Sequence, residues 1–182
     1  IELFHVMPAL QAPYGVIAAI GNHDRIGSND AFEKLLSRMK DWGADPLLND
    51  ARIIQKDDAS LCICATDDIR EGDPDFAPLF SQAKDSNFVL YAPHSPDILP
   101  VAFQQKHFDF DLVLTGHTHG GQVTLFGRTL HSSSRYGDRY RSGWLKEEGK
   151  RIFVSNGVGT SLLPVRLGAP AQIHRITLKR AK

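Results

Sequence analysis

The sequence predicts an α/β fold, and three observations carry that reading. Short apolar runs recur along the whole chain. Between some of them lie stretches with apolar residues at helical spacing, as in AFEKLLSRMKDW (31–42). Three of the runs end directly in polar clusters rich in Gly, Asn and His, and the carboxyl ends of sheet strands are where α/β folds gather their ligands.

In chain order, GVIAAI (15–20), stopped by Gly21, reads as a buried strand. Phe32, Leu35, Leu36, Met39 and Trp42 then line one side of an amphipathic helix. Asp30 and Glu33 are placed as its capping box and Gly43 as its stop. PLLNDARIIQKDDASLCICAT (46–66) divides into three short strands at its Asn-Asp and Asp-Asp turns. Residues 76–84 are expected to be helical, and NFVLYAP (87–93) is a buried strand running into His94. DILPVAFQQKHF (97–108) reads as a helix with Pro100 in its first turn, where a missing N–H is tolerated. FDLVLT (110–115) is a strand. A polar stretch (131–150) then separates it from two last strands, RIFVS (151–155) and AQIHRITL (171–178).

At 182 residues, 42% of them apolar and 23% charged, the chain is expected to build one domain over 1–182. Lys plus Arg equals Asp plus Glu at 21 each, so no long-range field favours nucleic acid or an anionic membrane. An anionic ligand must therefore be held by local groups, and no nucleic-acid partner is expected. Cys62 and Cys64, two apart in SLCICAT, share one face of a strand and read as buried free thiols rather than a bridge. No apolar run has the length a membrane helix needs, and no signal peptide is visible. The opening IELFHVMPALQAPYG lacks an initiator Met and reads like the end of an amphipathic helix, so the domain is expected to be N-terminally incomplete and its localisation is left open.

The polar clusters are Gly21-Asn22-His23-Asp24, His94, and Gly116-His117-Thr118-His119. Asn and His offer neutral oxygen and nitrogen donors, which suit Mn²⁺, Fe²⁺ or Zn²⁺ better than Ca²⁺. Taken singly, each cluster reads as readily as turn chemistry or a satisfied structural histidine. Their joint occurrence, in order and at matching strand ends, is what carries the metal reading.

GNHD, His94 and GHTH in this order resemble the calcineurin-like metallophosphoesterases. HSPD (94–97), DLVLTGHTHGGQV (111–123) and the stretch from Tyr140 to Leu178 are similar to a bacterial phosphodiesterase branch of that family, and the likeness runs from about Ala12 to Leu178. The resemblance implies two sheets packed face to face with helices outside (α-β-β-α), here lacking the N-terminal strands. It implies hydrolysis of a phosphodiester or pyrophosphate bond at a dinuclear centre with a bridging hydroxide as nucleophile. Asn22, His94 and His117 would bind one ion and His119 the other. His23 would sit beside the scissile phosphate as proton donor or charge stabiliser, oriented by Asp24. Gly120 and Gly121 would let backbone and ligand approach closely beside the metals. Implied substrates are phosphodiesters and, in some members, a nucleotide-sugar lipid.

Arg135, in a basic aromatic loop with Tyr136, Arg139, Tyr140 and Arg141, either contacts such a substrate or is solvated, and Arg166 matches a position usually basic in the branch. His5, His107, His131 and His174 have no motif context and read as structural or surface residues. The family's Asp-x-His and Gly-Asp motifs do not precede GNHD; Asp24 is the first aspartate. The chain is therefore expected to hold half of a dinuclear site and to expose apolar surface and strand edges. Alone it would bind metal weakly or not at all and be inactive without the missing segment or a domain-swapped copy. The alternative is a metal-free scaffold or interaction protein built on a decayed phosphoesterase fold.

Overall fold

The computed structural model describes residues 8–129 and 132–179; His5 and His131 lie outside them. Strand β1 (Val16–Ala19) pairs in parallel with β2 (Ala44–Leu47), and helix α1 (Asn29–Asp41) crosses between them. The cap of α1 is Ser28, whose hydroxyl accepts the Ala31 N–H at 3.3 Å, so the helix starts earlier than the Asp30 capping box implies. Phe32 and Met39 from its inner side close over Ile20 and Ala44 to form a small core.

The main sheet has six strands in the order β3-β4-β5-β6-β10-β9. They are β3 (Asp50–Lys56), β4 (Ala59–Ala65), β5 (Phe88–Tyr91), β6 (Leu112–Thr115), β9 (Gly143–Glu147) and β10 (Lys150–Val154). The inner four run parallel, and β3 and β9 form antiparallel edges. A two-residue-strand hairpin, β7 (Thr124–Leu125) and β8 (Arg128–Thr129), stands apart from it. Helices α2 (Ala77–Ala83) and α3 (Leu99–Ala102) are short. The core of this sheet is aromatic: Tyr91 meets Phe108 and Phe110 at 5.2 and 5.4 Å, with Val113, Ile152 and Val154 fully buried beside them. Cys62 and Cys64 lie in this core as free thiols, as their spacing requires.

Three elements depart from the sequence reading. The helix expected over 97–108 reduces to a 3-10 turn at Pro96–Ile98 and the single turn of α3. Phe103, Phe108 and Phe110 all pack into one aromatic cluster. On a continuous helix positions 103 and 108 would point about 140° apart, so the chain turns instead. The polar stretch 131–150 contains β9, joined to β10 by Glu148 and Gly149 at φ 46° and 77°, the left-handed pair of a tight hairpin. AQIHRITL forms no strand, because no ladder partner meets it among the described residues, and Ile173 is 90% exposed. Leu162 and Leu163 are exposed, and among the described residues β1 pairs only with β2. No described helix is long and apolar enough to cross a membrane.

Candidate metal centre

Parallel strands end on one side of a sheet, and here their ends bring distant polar residues together. Gly21 to Asp24 follow β1, Asp67 to Arg70 follow β4, His94 follows β5, and Gly116 to His119 follow β6. Asn22–Arg25 make one 3-10 turn, begun at Gly21, whose N–H donates to Asp24 Oδ2 at 2.8 Å. Asp24 thus closes its own turn, and its carboxylate is placed on Gly21 rather than on His23.

Arg25 fastens that turn to the main sheet. Its guanidinium pairs with Asp67, Nε to Oδ1 at 3.2 Å with a closer Nη2 contact to Oδ2, and lies 4.0 Å over the Phe32 ring. Asp67 is buried and also accepts the N–H groups of Asp68 and Asp73. A buried carboxylate stripped of its cation is strongly destabilising, so this pair joins the two sheets.

His94 reaches across the junction, with its Nε2 3.2 Å from Asn22 Oδ1 and 3.1 Å from His117 Nδ1. Its carbonyl accepts from Thr115 Oγ1 and Gly116 N–H at 2.9 and 3.0 Å, which locks the end of β5 to that of β6. Gly21 makes the space: a Cβ there would stand 2.6 Å from the His94 ring. Its φ of −112° suits any residue, so the requirement is room and not backbone conformation.

His117 Nε2 lies 3.3 Å from Ser133 O. A carbonyl only accepts, so this nitrogen carries the proton and Nδ1 presents a lone pair toward His94. His94 Nε2, facing that lone pair and the Asn22 oxygen together, can donate to one of them at most. Burial lowers the pKa of His94 and pushes His117 down to about 4, where the neighbouring His94 and Arg70 add to the effect. Both imidazoles are neutral at pH 7, as metal ligands must be.

The geometry fits a cation. Donors held about 2.1 Å from an ion stand about 3.0 Å apart at 90° and about 3.4 Å at 109°. The observed 3.1 and 3.2 Å fall between these values. No three His, Cys, Asp or Glu side chains converge among the described residues; the third donor here is an amide oxygen. Imidazole nitrogen with amide oxygen suits Mn²⁺, Fe²⁺ or Zn²⁺.

The other expected site residues divide. His119 lines the same cleft of about 590 Å³ and gives Nδ1–H to Gly159 O at 3.2 Å, which leaves Nε2 with a lone pair. His23 is exposed at the cleft wall, and Arg135 is exposed there too while its backbone N–H donates to Asp97 at 3.0 Å. Arg166 is consumed by backbone carbonyls, those of His119, Ala169, Asn156 and Gly159 among them, and acts as a clamp on its loop. Gly120 and Gly121 leave room for protein, not ligand. A Cβ would meet Asn156 at 2.4 Å from Gly120 and Thr129 at 2.2 Å from Gly121.

His117, His119 and Gln122 all adopt positive φ (66°, 53° and 50°), a conformation costing non-glycine residues about 1–3 kcal/mol and concentrated at functional sites. Sequence reasoning missed Arg25, Asp67, Arg70 and Asp97. The signal was present, because TDDIREGDPD (66–75) follows β4 just as the other clusters follow their strands.

No family model matches the chain. It is 33% identical over 173 residues, 93% of its length, to the uncharacterized metallophosphoesterase YkuE of Bacillus subtilis. It is 30% identical over 163 residues, 88% of its length, to the phosphodiesterase YaeI of Escherichia coli. The chain spans 58% and 57% of the length of these two relatives. Among solved structures it resembles the sulfate thiohydrolase SoxB of Thermus thermophilus, with a TM-score of 0.50 and 14% identity, over 76% of this chain and 27% of that one. At that identity the likeness shows the fold alone.

Proposed function

Because the chain belongs to the metallophosphoesterases, we propose that its histidine cleft takes part in metal-dependent hydrolysis of a phosphodiester or pyrophosphate bond. The convergence of Asn22 Oδ1, His94 Nε2 and His117 Nδ1 carries this reading, since three lone-pair donors at 3.1 and 3.2 Å spacings satisfy a cation better than one another. These three would hold one divalent ion, and His119 would offer Nε2 to a second. When bound, such ions supply Lewis acidity toward phosphoryl oxygens and an activated water at neutral pH.

The chain's own residues do the rest. Ser133 O holds the His117 tautomer, and Gly21 admits the His94 ring. His23, exposed on the wall of the cleft, would hold the proton that a leaving oxygen takes up. Leu162 and Leu163 give the cleft an apolar side, which favours substrates with an apolar group next to the phosphate, as in a nucleotide-sugar lipid.

The test is turnover of a chromogenic phosphodiester by the full natural protein with Mn²⁺. Activity is expected to vanish with chelator, return with metal, and be lost in His117→Ala. A protein that binds no divalent cation and turns over no diester would favour the metal-free scaffold instead.

A further inference from the structure

We propose that Arg70 is the residue that grips the anionic oxygens of the substrate's phosphoryl group, an assignment that rests on the phosphoesterase reading of the same cleft. Arg70 lines the cleft with Asn22, His94 and His117. It is anchored from behind: Nη2 donates to Asp97 at 3.2 Å and, more closely, to Ser133 O. That carbonyl is the one that also accepts His117 Nε2–H, at 3.3 Å. One backbone oxygen therefore fixes both the guanidinium and a member of the donor cluster, and holds them side by side.

The anchor is itself rigid. Asp97 is fully buried and accepts the Ser134 hydroxyl and the Arg135 N–H in addition to Arg70. The Arg70 side chain keeps 28% of its surface exposed, and Nη1 has no partner among the described residues. A guanidinium that lines the cleft and is bound through Nη2 alone, its buried Nε also without a partner among the described residues, keeps donors for an oxyanion.

The other arginines of the region are committed elsewhere. Arg25 pairs with Asp67, Arg139 with Glu147, and Arg166 with backbone carbonyls. Arg135 lines the cleft, but no described contact fixes its guanidinium. Overall charge is balanced at 21 against 21, so a phosphoryl anion must be held by local groups, and Arg70 is the arginine that shares a backbone anchor, Ser133 O, with His117.

The experiment compares wild type, Arg70→Lys and Arg70→Gln in the full natural protein, with Mn²⁺ binding, thermal unfolding and inhibition by inorganic phosphate measured on the same samples. Arg70→Gln is expected to lower kcat/KM for a diester about 10- to 100-fold and to weaken phosphate inhibition in parallel, with Mn²⁺ affinity unchanged. Arg70→Lys keeps a cation beside Asp97 and so guards against misfolding; it is expected to recover part of the phosphate affinity. A wild type that hydrolyses the diester while both variants match it within about threefold would overturn the assignment and leave the phosphoesterase reading standing. If the wild type hydrolyses nothing, that reading falls, and phosphate titration decides Arg70 alone. Binding lost in Arg70→Gln would support the anion role, and binding absent from the wild type, or unaltered by the substitution, would refute it.

Discussion

His117 and His119 are neighbours in one motif, share a positive φ, and each gives a ring proton to a backbone carbonyl, yet they end in different company. The free nitrogen of His117 meets His94, which in turn meets Asn22. The free nitrogen of His119 meets no second donor among the described residues. The difference lies in what flanks them. His117 faces the ends of β5 and β1, while His119 faces the loop around Gly159. A motif can place a ligand, but the strands beside it set how many donors converge.

The largest expected effect is on that contrast itself. His94→Ala or His117→Ala should weaken the tighter cation site by more than the 10- to 100-fold typical of losing an outer partner, whereas His119→Ala should cost that site less than about 10-fold. Isothermal titration with Mn²⁺ or Zn²⁺ reads both, and equal losses would remove the distinction. Next comes the junction that makes the contrast possible. Arg25→Ala strands the buried Asp67 carboxylate and should destabilise the fold by about 3–5 kcal/mol in denaturant titration. Asp67→Asn in the same background should recover part of it, because a neutral amide is cheaper to bury than a lone charge.

Gly21→Ala should act more locally, through a methyl placed 2.6 Å from the His94 ring. A stability change of about 1–3 kcal/mol with weaker cation binding is expected, and unaltered binding would show that His94 does not depend on that space. The smallest effect is on pH dependence. The folded pKa of His117, about 4, lies below its ordinary value of 6.5, so between these limits the unfolded chain binds the extra proton. Stability of the metal-free protein should therefore fall as pH drops from about 6.5 to about 4, and His117→Gln should flatten that slope in a series of urea midpoints.

Much of this was legible in the residues, for physical reasons. GNHD, His94 and GHTH each follow an apolar run; strand polarity brings His94 and GHTH together at the ends of β5 and β6, while GNHD comes from a second sheet and joins them only through the contact between sheets. Buried strands β4, β5 and β6 announced themselves as continuous apolar stretches. β9 did not, because GWLKE alternates exposed Trp144 and Lys146 with half-buried neighbours inside a polar stretch and contains no continuous apolar run. AQIHRITL misled in the opposite sense, since alternation shows that a segment could be a strand but not that a partner is present. Arg25–Asp67 and Arg70–Asp97 escaped because ion pairs across 42 and 27 residues leave no periodic trace.

The most direct test of the central claim is anomalous diffraction from crystals of the natural protein grown with Mn²⁺ or Zn²⁺. An ion about 2.0–2.2 Å from Asn22 Oδ1, His94 Nε2 and His117 Nδ1 together is the predicted result. Full occupancy at His119 with nothing between the other three would contradict it.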